Sequence, residues 1–270
     1  ANATRAQRPL SAALLSHLDA AGILVWQEVA PWQPAGAWSA ETPQRRARAT
    51  DDVERAVRRM SAHPSVLTWS LSNEAPGQGA PGGQAEWIAA TARRVRELDP
   101  TRPVAADLWG RDLPEEAGVL HAELDAIGIT DYTGWYEEID ASTAEQEATV
   151  RERLQRMREL FPAKLLAVTE VGAESSARNA PGEPGGLNFH ADLLERRLGT
   201  YAEMDGLDGV LVWNLRDFAL RPDFRGGSIE DAYPGREPTP GINAKGLLTL
   251  EGKPKPALEV VRESLAPLAP

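Results

Sequence analysis

The chain has 270 residues, 42% hydrophobic and 26% charged, which excludes wholesale disorder and a collagen-like repeat. It contains no cysteine, so disulfides, zinc–thiolate sites, iron–sulfur clusters and a cysteine nucleophile are excluded. Asp and Glu number 40 against 29 Lys and Arg, a net charge of −11, and an acidic chain without a basic cluster is a poor partner for nucleic acid. No apolar run approaches the roughly 20 residues that span a bilayer. The opening ANATRAQRP does not read as a signal peptide, and the compartment, cytoplasmic or secreted, stays open.

In chain order, Asn2-Ala-Thr-Arg5 predicts a short strand and Ser11 to Ala20 a helix. Gly22-Ile-Leu-Val-Trp-Gln-Glu28 predicts a second strand, and Thr50 to Ser61 a helix with apolar spacing at 53, 57 and 60. Ser65 to Leu71 is the next strand, followed by a helix from Gln84 to Leu98 that stops at Asp99-Pro100. Strands at Arg102 to Asp107 and Leu124 to Ile129 precede a long amphipathic helix, Ala144 to Leu160. Lys164 to Glu170 is a strand, Phe189 to Met204 a helix, Gly209 to Asn214 a strand and Pro256 to Leu265 the closing helix. The near-continuous apolar character of these runs suits parallel strands buried on both faces. A repeat of roughly 37 residues per strand and helix makes the fold class α/β, a (β/α)8 barrel that lacks its first strand. Residues 1–270 read as one domain. Ala219 to Gly241, rich in Pro and Gly, reads as a loop after the last strand that borders the barrel mouth.

Barrel chemistry sits at the C-terminal ends of strands. There the sequence gathers Glu28, Asn73-Glu74, Asp107, Asp131-Tyr132, Glu170 and Trp213-Asn214, with few cations. Two carboxyl groups flanking a bond, with an aromatic platform for a sugar face, are what glycoside hydrolysis needs. Glu74 and Glu170 lie on strands separated by two others, which nearly face each other across a barrel mouth.

His63-Pro-Ser-Val-Leu-Thr-Trp-Ser-Leu-Ser-Asn-Glu74 resembles the acid/base signature of glycoside hydrolase family 2, the β-galactosidases, β-glucuronidases and β-mannosidases. Val168-Thr-Glu-Val-Gly-Ala-Glu174 resembles its nucleophile segment, Tyr132-Thr-Gly-Trp-Tyr136 the sixth-strand motif of its glucuronidase branch, and Val212-Trp-Asn-Leu-Arg-Asp-Phe218 the eighth-strand motif. Asn243-Ala-Lys-Gly246 and Gly252-Lys-Pro-Lys-Pro256 resemble the closing segment. The resemblance implies a retaining exo-β-glycosidase of β-glucuronidase or β-galactosidase type, with a carbohydrate substrate and no cofactor or metal. Glu74 would be the acid/base and Glu170 the nucleophile. Arg5, Asn73, Tyr132, Trp135, Tyr136, Trp213, Asn243 and Lys245 would bind substrate: Asn73 at the 2-hydroxyl, Tyr132 on the nucleophile, Trp213 under the ring, and Asn243 and Lys245 either at a sugar carboxylate or in a structural, non-selective role, since a similar pattern occurs in relatives with neutral substrates. Arg216, Arg221 and Arg225 would supplement Lys245 or balance local acids.

The family's N-terminal sandwich domains and first barrel strand are absent from this sequence. So is a histidine usual just after the second strand, where Gln7 and Arg8 stand. The alternative is a catalytically weak or inactive carbohydrate-binding barrel remnant. A homo-oligomer is left open, and neither a membrane nor a nucleic acid is expected as a partner. Gly77-Gln-Gly-Ala-Pro-Gly82 has the letters of a dinucleotide fingerprint, but it contains Pro81 and reads as a loop. The four histidines, His17, His63, His121 and His190, show no metal-ligand spacing.

Overall fold

The computed structural model of the chain describes residues 2–33, 36–78, 81–221, 233, 235–237 and 239–266. Its strands are β1 (Ala3–Ala6), β2 (Leu24–Glu28), β3 (Val66–Ser70), β4 (Val104–Leu108), β5 (Ala126–Asp131), β6 (Leu165–Val171) and β7 (Gly209–Val210), hydrogen-bonded in chain order. The helices are α1 (Ala12–Ala21), α2 (Pro43–Met60), α3 (Gln84–Leu98), α4 (Val119–Ala122), α5 (Thr143–Leu160), α6 (Leu187–Ala202) and α7 (Pro256–Leu265). This is the wiring of a parallel α/β barrel sheet. A separate antiparallel pair joins β8 (Phe218–Ala219) to β9 (Ile242–Asn243).

Residues 1–130 with 157–167 form one compact unit, and residues 131–156 with 168–270 a second. In the first, β1 to β4 each pair in parallel with the next strand, and Leu165 N–H donates to Asp125 O at the start of β6. Every residue of β4 and β5 is buried, as expected of strands covered on both faces. Local sequence explains the helix ends. Ser11 caps α1 by accepting from Leu14 N–H, and Gly22 ends it with φ 65°, a left-handed conformation that costs glycine nothing. α2 begins at Pro43, seven residues before the predicted start, because Thr42 accepts from Arg45 N–H and Pro43 fits the first turn.

In the second unit, β7 is shorter than predicted. Beyond it the chain still runs along β6, with Leu211 N–H donating to Val168 O and Trp213 N–H to Val171 O. An aromatic cluster forms this unit's apolar centre: Tyr132, Trp135, Ala173 and Leu193, with Tyr136, Phe189, Trp213 and Tyr233 packed against it. Most of the expected loop from Ala219 to Gly241, Arg225 included, lies outside the described residues. Its ends are joined by Leu220 N–H to Gly241 O, and Tyr233 donates to Gly134 O at 2.7 Å. Among the described residues, no helix is long and apolar enough to cross a membrane.

Candidate active site

The first unit carries Glu74, Asn73 and Arg5. Glu74 follows β3, is partly exposed, and adopts φ 45°, a left-handed conformation that costs a residue with a side chain about 1–3 kcal/mol and is concentrated at functional sites. Its Oε1 accepts the Thr130 hydroxyl at 3.0 Å, and Thr130 Oγ1 in turn accepts Gly110 N–H at 3.2 Å. Gly110 has no alternative there, since a Cβ would stand 1.8 Å from Thr130 O.

Asn73, 2% exposed, is held on three sides. Its Oδ1 accepts from Arg5 at 3.0 Å and from Gln7 Nε2 at 2.9 Å, while its Nδ2 donates to Gln33 O at 3.1 Å. Arg5 is buried between the strand-end acids Glu28, at 3.3 Å, and Asp107, at 3.6 Å. Asp107 also accepts from Trp26 Nε1 at 3.0 Å and from Ser70. Glu28 and Asp107 therefore hold Arg5, a buried use that strand-end position alone does not reveal.

The second unit carries Glu170, at the end of β6 and 4% exposed, with Tyr132 donating to its Oε2 at 2.7 Å. Gly172, two residues on, must be glycine, because a Cβ would meet Trp213 O at 2.2 Å. Trp213 is half-buried, edge-on to Phe218 at 6.0 Å. Trp135 is wholly buried, so it backs the half-buried Tyr136, 5.8 Å away centre to centre, instead of offering a face of its own. Asp131 serves the fold: it accepts from Tyr201 at 2.5 Å and from Thr133 Oγ1 at 2.6 Å.

Lys245 is 3% exposed, with its ammonium 5.1 Å from the Tyr136 ring centre and 3.7 Å from Glu174 Oε1. Burial pulls the ammonium's pKa down, but Tyr136, Glu174 and Glu170 outweigh burial and leave it above the usual lysine value. Burial pushes Glu174 up, and Lys245 opposes that shift without cancelling it. The two shifts thus have different origins. Tyr136 with Glu174 and Glu170 keeps Lys245 charged, and at 3.7 Å the contact to Glu174 is too long for a strong hydrogen bond. Asn243, in β9, turns its Oδ1 back to Lys245 N–H at 3.2 Å. Arg216 is engaged with Leu250 O, away from any role beside Lys245. Glu174, Gln7, Gln33 and Thr130 are the neighbours that motif reading did not assign. Of these, Glu174 stood inside the nucleophile segment and Thr130 at a strand end.

The histidines are explained locally. His63 pairs with Asp19 at 2.7 Å, and His190 is buried with Nδ1 3.0 Å from Ser175 Oγ. Between Ser70, the end of β3, and Gln84, the start of α3, the glycine-rich segment opens with Gly77 N–H donating to Asp112 O. Gly79 and Ala80 lie outside the described residues, and with β3 ending at Ser70 and α3 starting at Gln84 no tight strand-to-helix turn joins them.

Residues 1–178 match the family described as glycosyl hydrolases family 2, TIM barrel domain. The chain is 29% identical over 215 residues to a β-glucuronidase of Paenibacillus borealis, covering 78% of this chain and 33% of that protein. It is 27% identical over 169 residues to a β-glucuronidase of Streptococcus agalactiae, covering 62% of this chain and 28% of the relative. Among solved structures, a family 2 β-galacturonidase from Eisenbergiella tayi bound to glycerol superposes with a TM-score of 0.82 at 22% identity, covering all of this chain and 45% of that one. A β-glucuronidase from Ruminococcus gnavus in complex with D-glucaro-d-lactam gives a TM-score of 0.80 at 23% identity, covering 98% of this chain and 43% of that one. The chain thus spans about a third of the length of the curated relatives it matches. The order of strands and helices, the match over more than half of its residues and the shared fold agree, and the chain belongs to glycosyl hydrolases family 2, as a TIM barrel domain of that family.

Proposed function

We propose that the chain is the catalytic barrel of a retaining exo-β-glycosidase that removes terminal β-linked uronic acids. The observation that carries the reading is the buried Glu170 carboxylate held by the Tyr132 hydroxyl. A short hydrogen bond fixes one oxygen of a buried acid and leaves the group oriented for attack. In this reading Glu170 attacks the anomeric carbon while Glu74 protonates the departing glycosidic oxygen. Glu74, now a carboxylate, then takes a proton from the water that cleaves the glycosyl–Glu170 ester, and the β-configuration is retained. Trp213 lies under the ring. Lys245 supports a uronide substrate, since a sugar carboxylate entering an acidic mouth needs a cation that is already desolvated and charged. The β-glucuronidases and the β-galacturonidase among the relatives point the same way.

The test is a panel of 4-nitrophenyl β-glycosides with the Glu74→Ala and Glu170→Ala variants. Glu74→Ala retains turnover of substrates with good leaving groups and regains rate with azide, while Glu170→Ala abolishes formation of the covalent intermediate. Ordinary turnover by Glu170→Ala removes the nucleophile assignment. A chain that binds uronides without turning them over is the inactive remnant instead. A crystal structure adds a geometric check, because retention requires the two carboxyl groups about 5–5.5 Å apart.

A further inference from the structure

We infer that Gln7 is a positioning residue that, with Arg5, fixes the Asn73 side chain as the hydrogen-bond donor that the family resemblance already sets at the sugar 2-hydroxyl. The inference rests on the glycosidase reading and refines it. An asparagine amide has two acceptor lone pairs and two N–H donors, and which end faces a partner must be argued from the network. Here the network decides it. Arg5 has donors only, so the atom it meets at 3.0 Å is the Asn73 oxygen. Gln7 meets the same oxygen at 2.9 Å and must therefore present its own NH2. Asn73 Nδ2 donates to the Gln33 carbonyl, which can only accept.

Among the described residues, both lone pairs of Oδ1 and one N–H of Nδ2 are then engaged, and the second N–H is the donor that would meet a ligand. A flipped amide would set Nδ2 against the Arg5 and Gln7 donors and Oδ1 against the Gln33 carbonyl. Arg5 cannot move aside, because Glu28 and Asp107 bracket it in a buried position. Gln7 lies one residue past the end of β1, and both it and Arg5 of β1 reach Asn73 Oδ1. A 2-hydroxyl accepts the remaining N–H. A protonated 2-amino group offers donors alone and is refused.

Two variants of nearly unchanged size test this on the full chain: Gln7→Leu, which removes the donor, and Gln7→Glu, which replaces it with an acceptor facing Oδ1. Each is assayed on 4-nitrophenyl β-glucuronide and on its 2-deoxy analogue. On the 2-hydroxy substrate, Gln7→Leu lowers kcat/KM about 10-fold and Gln7→Glu about 100-fold, while the 2-deoxy substrate changes less than about twofold for both. Equal loss on the two substrates makes Gln7 a purely structural residue and overturns the inference. The side-chain amide of Asn73 in 15N NMR spectra gives a readout independent of turnover. Gln7→Leu moves that amide pair, and an unmoved pair also overturns the inference. A wild-type chain without turnover refutes the glycosidase reading, and the amide spectrum still judges Gln7.

Discussion

Lys255, just before α7, is a buried cation whose loss can be worked out in advance. It is 5% exposed, and its three N–H donors are shared among four oxygens: Asp217 Oδ1 at 2.8 Å, Ser175 O at 2.9 Å, Ala244 O at 2.9 Å and Ser175 Oγ at 3.2 Å. Burial drags its pKa below the usual lysine value, and Asp217 and Glu174 pull back without prevailing. A buried pair of this kind adds little net stability, but removing one member strands the other. Lys255→Met leaves the Asp217 carboxylate, 8% exposed, with the Gly246 N–H at 2.8 Å as the remaining donor to its Oδ1 among the described residues. Breaking such a pair costs about 3–5 kcal/mol, and the surviving N–H places this case near about 3 kcal/mol. For a domain of this size that lowers Tm by about 6–12 °C. The pairing also has a local consequence, because Ser175 N–H donates to Ala244 O and the next residues along are Glu174 and Lys245. Urea unfolding followed by tryptophan fluorescence measures the loss, and Lys255→Met/Asp217→Asn recovers most of it, since no charge is then stranded. A single variant within about 0.5 kcal/mol of wild type, or a double variant as unstable as the single one, refutes the reasoning.

Two further outcomes follow. Lys245→Ala lowers kcat/KM on a β-glucuronide by about 100-fold, the loss of a charged hydrogen-bond partner, and has far less effect on a β-galactoside; equal losses make Lys245 structural. The second concerns acid. Burial lowers the pKa of His121 from 6.5 to about 4, with Lys164 adding to the shift, and burial lowers His190 from 6.5 to about 3, with Lys255 and Lys245 adding. Both imidazoles are neutral in the fold and take protons once it opens. Stability is therefore complete above about pH 6.5 and falls as pH drops toward 4, by about 3 kcal/mol for His121 alone. His121→Phe flattens that part of the urea-stability profile between pH 7 and 4, and an unchanged slope rejects the assignment.

Strands were the most legible elements, because burial on both faces writes near-continuous apolar runs that composition alone reveals. Helix α2 was harder. Pro43 to Arg48 includes no large apolar residue, so apolar spacing marks the helix only from Thr50 onward, although the Thr42-Pro43 cap carries the signal of its true start. β7 was overread because Val212-Trp-Asn214 is as apolar as a strand, yet the chain keeps only scattered hydrogen bonds to β6 there. At the candidate site, the strand-end rule picked out Glu170 and Tyr132, which the structure joins by a hydrogen bond. The same rule picked out Asp131 and Asp107, which the fold uses internally. The Asn73 contacts to Arg5 and Gln7 cross more than sixty positions of chain, and no local pattern announces such pairs. Trp135, which the resemblance implies as a substrate-binding residue, is wholly buried in the cluster with Phe189, Tyr136 and Tyr233.

The Gly110–Thr130–Glu74 chain has a directional sense. Gly110 N–H occupies a lone pair of the Thr130 hydroxyl, and the hydroxyl proton is committed to Glu74 Oε1. A main-chain amide that never touches Glu74 thus sets which way the hydroxyl beside its carboxyl group points, and the lack of room for a Cβ at Gly110 keeps that amide in place.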